Sequence, residues 1–306
     1  MSDAARAWAR RLGPVGIWTF EAERLPASAA RDYARTVESL GFRTLWIPES
    51  LGSKEVFAHA GLLLSATRSL VVASGIANIW ARDPVAMANG ARALVDAYPD
   101  RFVLGLGVSH APIVKTRGNR YARPLDHMRE YLDAMDSAPY VGPAVEVPRV
   151  LAALGPQMLR LARERTLGAH PYFVPVEHTS RARAQLGTGP LLAVEQAAVL
   201  SDDAGIARAT ARRHMKRYLD LENYANNLRR LGWSDADLAD GGSDRLVDAI
   251  VAWGRVETIR ERMAEHHARG ADHVCLQILR VDPKAPGHAE LEQIARALMP
   301  EASVAS

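Results

Sequence analysis

Leu70–Asn78 reads LVVASGIAN and continues through Ile79–Pro84 as IWARDP. Leu70, Val71 and Val72 are apolar and mostly β-branched, as a strand packed on both faces requires. Ala73, Ser74 and Gly75 then shed their side chains, which lets something lie close against the backbone. Asp83–Pro84 supplies an N-cap and a first-turn proline for a helix. Two readings stand for this stretch. It is either the ligand floor at a strand end of a parallel β/α protein, or a simple glycine bulge.

Outward from it, strand and helix patterns alternate. Val15–Thr19, Phe42–Ile47, Arg101–Leu106, Arg149–Leu154, Gly168–Phe173, Pro190–Gln196 and Ala271–Leu279 read as the other strands. Helices are expected over residues 3–11, 26–40, 55–66, 84–97, 124–137, 177–185, 256–269 and about 288–298, with another opened by Gly155–Pro156; residues 109–123 read as a polar loop. Ser201–Ile250 is helical, polar and too long for an ordinary connection, so it reads as a helical insertion between strands seven and eight. No composition break marks a linker. Eight such strands predict a (β/α)8 TIM barrel in one domain spanning residues 1–306. An open doubly wound sheet is the competitor, but Gly105-x-Gly107-x-x-His110 lacks the third glycine of a dinucleotide fingerprint.

Composition narrows the function classes. The 306 residues are 48% hydrophobic and 24% charged, with a net charge of +3 and a pI near 9.1. The basic residues are scattered, so no nucleic-acid stripe is expected. No apolar run is long enough for a bilayer, no signal peptide is evident, and a cytoplasmic protein is expected. Cys275, the single cysteine, sits in an apolar run and reads as a buried structural thiol.

In a barrel the site gathers at the C-terminal strand ends. That rule nominates Trp18, Glu49, Ser50, Gly75, Ile76, Asn78, Gly107, Ser109, His110, Gly155, His170 and Gln277. Small residues with a few polar groups suit a flat, partly apolar ligand. Glu49 reads equally as a proton-exchanging carboxylate or as a cap or arginine partner. His110 follows Gly107 in a loop, where a proton donor is useful; a solvated histidine is the other reading. His170 reads as packed and satisfied by a carbonyl, and His266 and His267 as solvated. Gly155–Pro156 opens a helix whose N–H groups attract phosphate, or merely initiates it. Arg82, Arg117, Arg120 and Arg123 could meet an anionic tail. No metal-ligand spacing emerges, and Gly-x-Ser-x-Gly is absent.

GFRTLWIPES (41–50), VVASGIANIWARDP (71–84), DRFVLGLGVSH (100–110), RPLDHMREYLDAM (123–135), ALGPQMLRLARERTLGAHPYFVPVEHT (153–179) and ADHVCLQIL (271–279) occur in one order. Together they resemble the luciferase-like monooxygenase superfamily, and within it the coenzyme F420-dependent oxidoreductases. The resemblance covers most of the chain outside residues 201–250. It implies a non-proline cis peptide at Gly75–Ile76, behind the central ring of a flavin or deazaflavin. It implies cofactor contacts from Glu49, Ser50, Asn78, Gly107, Ser109 and His170, a pocket wall at Trp18, and a phosphate site near Gly155–Pro156 and Pro171–Tyr172. Sugar-phosphate dehydrogenase relatives carry an acid–histidine pair where this chain has Glu49–Ser50, and a glutamate where it has His110. This chain lacks that histidine, and His110, standing where those relatives place the glutamate, is the expected proton donor or acceptor facing the substrate.

The resulting expectation is a deazaflavin enzyme that uses coenzyme F420 to pass a hydride at C5 to or from a small organic substrate. His110 and Glu49 are its catalytic candidates. An FMN-dependent monooxygenase of the same fold is the alternative, and a non-catalytic flavin-binding barrel the further one. The resemblance also implies a homodimer, with neither nucleic acid nor membrane as partner.

Overall fold

A computed structural model of the chain describes residues 2–282 and 288–299. Ten strands follow in order: β1 (Val15–Trp18), β2 (Thr44–Ile47), β3 (Val71–Ser74), β4 (Ala77–Asn78), β5 (Phe102–Gly107), β6 (Arg149–Leu151), β7 (Gly168–Ala169), β8 (Leu191–Leu200), β9 (Val251–Gly254) and β10 (His273–Ile278). Every pairing is parallel, and β10 bonds to both β1 and β8, which closes the ring. β3 and β4 share one position, interrupted at Gly75–Ile76, where the peptide bond is cis. β9 pairs only with β8 and hangs outside the ring, so eight positions form the closed barrel, with helices around it.

The period-2 alternation of the strands sorts their side chains into two cores. Ile17, Leu45, Val72, Leu104, Leu151, Val194 and Leu276 face outward into the layer shared with the helices. Trp18, Trp46, Val71, Val103, Val150, Ala193 and Cys275 fill the barrel interior. Near the bottom, His273 accepts from Trp46 Nε1 (3.1 Å) and donates from Nδ1 to the Gly13 carbonyl (2.6 Å). A Cβ on Gly16 would lie 2.8 Å from that imidazole, so the ring occupies the space the glycine leaves.

The expected cap is present: Asp83 accepts from the N–H groups of Val85 and Ala86, with Pro84 in the first turn of the helix Pro84–Ala97. Between β8 and β10, helices Ala204–Leu219, Glu222–Leu231, Asp235–Leu238 and Asp244–Ile250 form the expected insertion. Three boundaries differ from the sequence reading. β8 runs to Leu200, because Ala197–Leu200 pairs with β9, a short strand that the sequence reading missed. β6 and β7 stop at Leu151 and Ala169, leaving Ala152–Leu154 and His170–Phe173 as site loops. The loop 109–123 contains a helix, Ala111–Thr116. His266 is a fourth correction: it is fully buried, held between Thr179 and Gln196, and burial lowers its pKa to about 3. A polar helix face covered by a neighbouring helix looks solvated in sequence.

Candidate active site

A cavity of about 530 Å³ opens at the C-terminal mouth of the barrel. The bulge after β3 makes one wall. Ser74 Oγ donates to the Gly105 carbonyl (2.8 Å) and accepts from the Gly105 N–H (2.9 Å), which ties the bulge to β5. A Cβ on Gly105 would strike the Ser74 carbonyl, and one on Gly107 would lie 2.5 Å from the Ile76 side chain. Gly105-x-Gly107 is thus spacing for the bulge and not a nucleotide fingerprint. Ile76 and Gly107 together present an apolar surface to the cavity.

The loop after β5 brings Ser109, with φ of 57°, and His110. His110 Nδ1 lies 3.0 Å from Asn223 Oδ1, and its ring packs 5.3 Å from that of Tyr224. With Asn223 Oδ1 as acceptor, Nδ1 carries the proton and Nε2 holds a lone pair. Burial lowers the His110 pKa, and the Asn223 bond opposes this in part. The histidine is therefore neutral at pH 7 and equipped to accept a proton.

His170 and Tyr172 enter from the loop after β7. His170 donates from Nδ1 to the Ala193 carbonyl (2.9 Å), stacks on Trp46 at 4.4 Å, and has its pKa pushed down to about 4 by burial. The expected carbonyl partner exists, but the other nitrogen, Nε2, is buried without a partner. Trp18 Nε1 is likewise buried and unpartnered. Both converge on Gly75: a Cβ there would collide with Trp18 Nε1 and lie 3.2 Å from His170 Nε2. Two open groups, one on the lining residue His170 and one on Trp18, which is off the lining, thus meet at Gly75.

Gly155 and Pro156 line the cavity where the helix Pro156–Arg165 begins. Gly155 caps this end without a side-chain bond, and Arg230 Nη2 lies 3.7 Å from where its Cβ would be. Arg230 is the arginine that lines this cavity. Arg82, Arg117, Arg120 and Arg123 do not.

Trp18, Glu49, Ser50, Gly75, Asn78, Pro171 and Gln277 also stand off the cavity lining. Glu49 is closed in a two-pronged ion pair with Arg82 and accepts the Asn78 N–H at 2.7 Å. Asn78 Oδ1 in turn accepts from the Trp80 N–H (2.9 Å), and Ser50 Oγ bonds Ser53 Oγ (2.8 Å). Of the two readings of Glu49, the structure places it as an arginine partner that buttresses the bulge. The Glu49 side chain is 5% exposed, so losing its partner leaves a buried charge uncompensated. Arg82→Leu is expected to lower stability by about 3 kcal/mol, a Tm shift of several degrees in a thermal melt.

Sequence reading missed the wall built by the helix Glu222–Leu231. Asn223, Tyr224, Asn226 and Arg230 all line the cavity from it. The signal was present in NYANNLRR as a polar and aromatic face at helical spacing. Gln277, nominated from its strand end, accepts from Tyr172 Oη (2.8 Å), and Tyr172 Oη also meets Tyr218 Oη (2.8 Å). Among the described residues no group of three or more His, Cys, Asp or Glu could hold a metal ion. None of the described helices is long and apolar enough to cross a membrane.

Two curated relatives are similar to this chain. A 5,10-methylenetetrahydromethanopterin reductase of Methanolobus tindarius is 26% identical over 200 residues, which is 56% of this chain and 61% of that protein. A Mycobacterium tuberculosis protein, whose name gives coenzyme F420-dependent oxidoreductase as a provisional activity, is 24% identical over 322 aligned positions. That alignment covers 84% of this chain and 91% of the relative. Among solved structures, an F420-dependent secondary alcohol dehydrogenase in complex with an F420–acetone adduct superposes with a TM-score of 0.75 at 15% identity, covering 94% of this chain and 98% of its own. The oxygenating component of 3,6-diketocamphane monooxygenase from Pseudomonas putida, in complex with FMN, gives 0.66 at 19% identity, covering 94% and 98%. These two structures share the closed parallel barrel. The luciferase-like monooxygenase profile matches residues 14–273, and the chain belongs to that family.

Proposed function

We propose that this protein is a coenzyme F420-dependent oxidoreductase acting on a small organic substrate. The observation that carries the reading is His110: a neutral, half-enclosed base on the cavity wall beside an apolar surface shaped by Ile76 and Gly107. The cavity fits the group. Its volume is in the range that encloses most of a planar cofactor, and His170, a lining residue, keeps its buried Nε2 without a partner. The bare helix start at Gly155, with Arg230 beside it, suits a phosphate on the cofactor tail. The Mycobacterium tuberculosis relative and the alcohol dehydrogenase fold neighbour support the deazaflavin reading by name.

When bound, the deazaflavin supplies a hydride acceptor or donor at C5. The chain supplies the rest. Ile76 and Gly107 would hold the ring from the bulge side, Tyr172 and Tyr224 would exclude water, and His110 Nε2 would take the substrate proton in the oxidising direction or return it in the other. Ser109, Gly155, Pro156 and His170 hold the cofactor from the cavity side. Glu49, Ser50, Asn78 and Pro171 act from behind the bulge and the β7 turn. We place the whole chain in one working domain and in the cytoplasm, as its sequence pattern leads us to expect, and take it as homodimeric on the strength of the resemblance.

The test is anaerobic: the protein with F420 and a panel of alcohols, or with reduced F420 and a panel of carbonyl compounds, followed by the visible absorbance of the deazaflavin. Substrate-dependent bleaching or recovery is expected. The FMN-bound fold neighbour keeps a flavin monooxygenase in view. Substrate-dependent oxygen uptake with reduced FMN, and no reaction with F420, establishes that reading instead.

A further inference from the structure

Glu195 lies on β8 with its side chain in the barrel interior, opposite Cys275 of β10, and is 2% exposed. None of the roles above uses it. Its backbone N–H donates to the Pro171 carbonyl (2.9 Å), and its Oε2 accepts the Phe173 N–H (2.9 Å). One residue therefore grips the chain on both sides of Tyr172. Phe173 stands at φ 58°, a left-handed conformation that a phenylalanine does not adopt unaided. Tyr172 is the residue between these grips, and it carries the bonds to Gln277 and Tyr218 that join the barrel to the inserted helices.

We propose that Glu195 is a positioning residue for the cavity: by bracketing Pro171–Phe173 it sets the Tyr172 ring and hydroxyl in the cavity wall. A buried carboxyl with one oxygen unpartnered is costly to keep and needs such a purpose. Burial raises its pKa to about 8, and the single N–H bond from Phe173 offsets this only partly. Glu195 is accordingly a neutral acid at pH 7, and glutamine imitates it.

The other titratable groups near it do not titrate around that pH. Burial raises the pKa of Tyr172, Tyr218, Tyr224 and Cys275, and lowers His170 to about 4 and His214 to about 3. Arg217 is the cation beside Tyr218.

The test needs no cofactor, so it remains valid even if the assignment to F420 fails. The protein is labelled with 3-fluorotyrosine, and the Tyr172 resonance is assigned by its loss in Tyr172→Phe. In the wild type this ¹⁹F signal is expected to move in one step centred near pH 8. In Glu195→Gln it should stay at the wild-type low-pH position throughout. In Glu195→Leu, which removes the acceptor, it should sit elsewhere at every pH. A Leu variant that reproduces the wild-type signal overturns the proposal, as does a pH step that survives in the Gln variant. If the Leu variant does not fold, the Gln comparison decides alone. The folded state holds a proton that the unfolded chain releases between the ordinary carboxylate range and about pH 8. Wild-type Tm should therefore fall relative to Glu195→Gln as pH rises through that window.

Discussion

His110→Ala is expected to lower kcat by about 10²–10⁴-fold, the span that a positioned general base contributes. The imidazole is held by Asn223 and packed against Tyr224, so its geometry is set before substrate arrives. Its pKa lies below the ordinary histidine value because burial disfavours the cation. Oxidation of the substrate needs the neutral form. The wild-type rate should therefore hold at neutral pH and fall as pH drops through that lowered value. Alanine should remove this acid limb along with most of the rate, while cofactor affinity changes little. Steady-state kinetics from pH 5 to 8 check both parts. Unchanged turnover with an unchanged pH profile takes His110 out of the chemistry. Asn223→Ala should move the limb further to the acid side, since it removes the one interaction that favours the imidazolium.

Gly75→Val should abolish tight cofactor binding, with a loss of about 3 kcal/mol, roughly a hundredfold in Kd. The argument is steric. Even the first carbon of a side chain at this position collides with Trp18 Nε1 and comes within 3.2 Å of His170 Nε2. Both rings are buried, and His170 is fixed by its stack on Trp46 and its bond to Ala193, so neither has room to retreat. A branched side chain must turn into the cavity or push the floor apart. Fluorescence titration gives the affinity, and circular dichroism shows that the barrel still forms.

The barrel was legible because its strands are short, apolar and bounded by turn residues, and because helices alternate with them. The bulge was legible too, since Ala73–Ser74–Gly75 loses side-chain volume in the middle of an apolar strand. Long-range partnership was not. Nothing local at Glu49 says that Arg82, thirty-odd residues on, folds back to take both its oxygens. A carbonyl partner for His170 was expected, but nothing local says that its other nitrogen is left open. The wall supplied by Asn223, Tyr224 and Arg230 was hidden for a topological reason: these residues follow β8, but the insertion arches over the loops after β5 and β6. β9 escaped notice because three apolar residues and a glycine follow a helix directly, with no turn signal between helix and strand. Glu195 sat inside an apolar run where a carboxylate looks like an error, and its role is visible only with Phe173 across from it.

The claim on which the account turns is that this cavity is a deazaflavin site. Titrating the purified protein with coenzyme F420, with FMN in parallel, and following cofactor fluorescence tests it directly. The account predicts saturable binding of F420 that is tighter than that of FMN and weakened by Gly75→Val. Preference for FMN, or binding of neither, contradicts it.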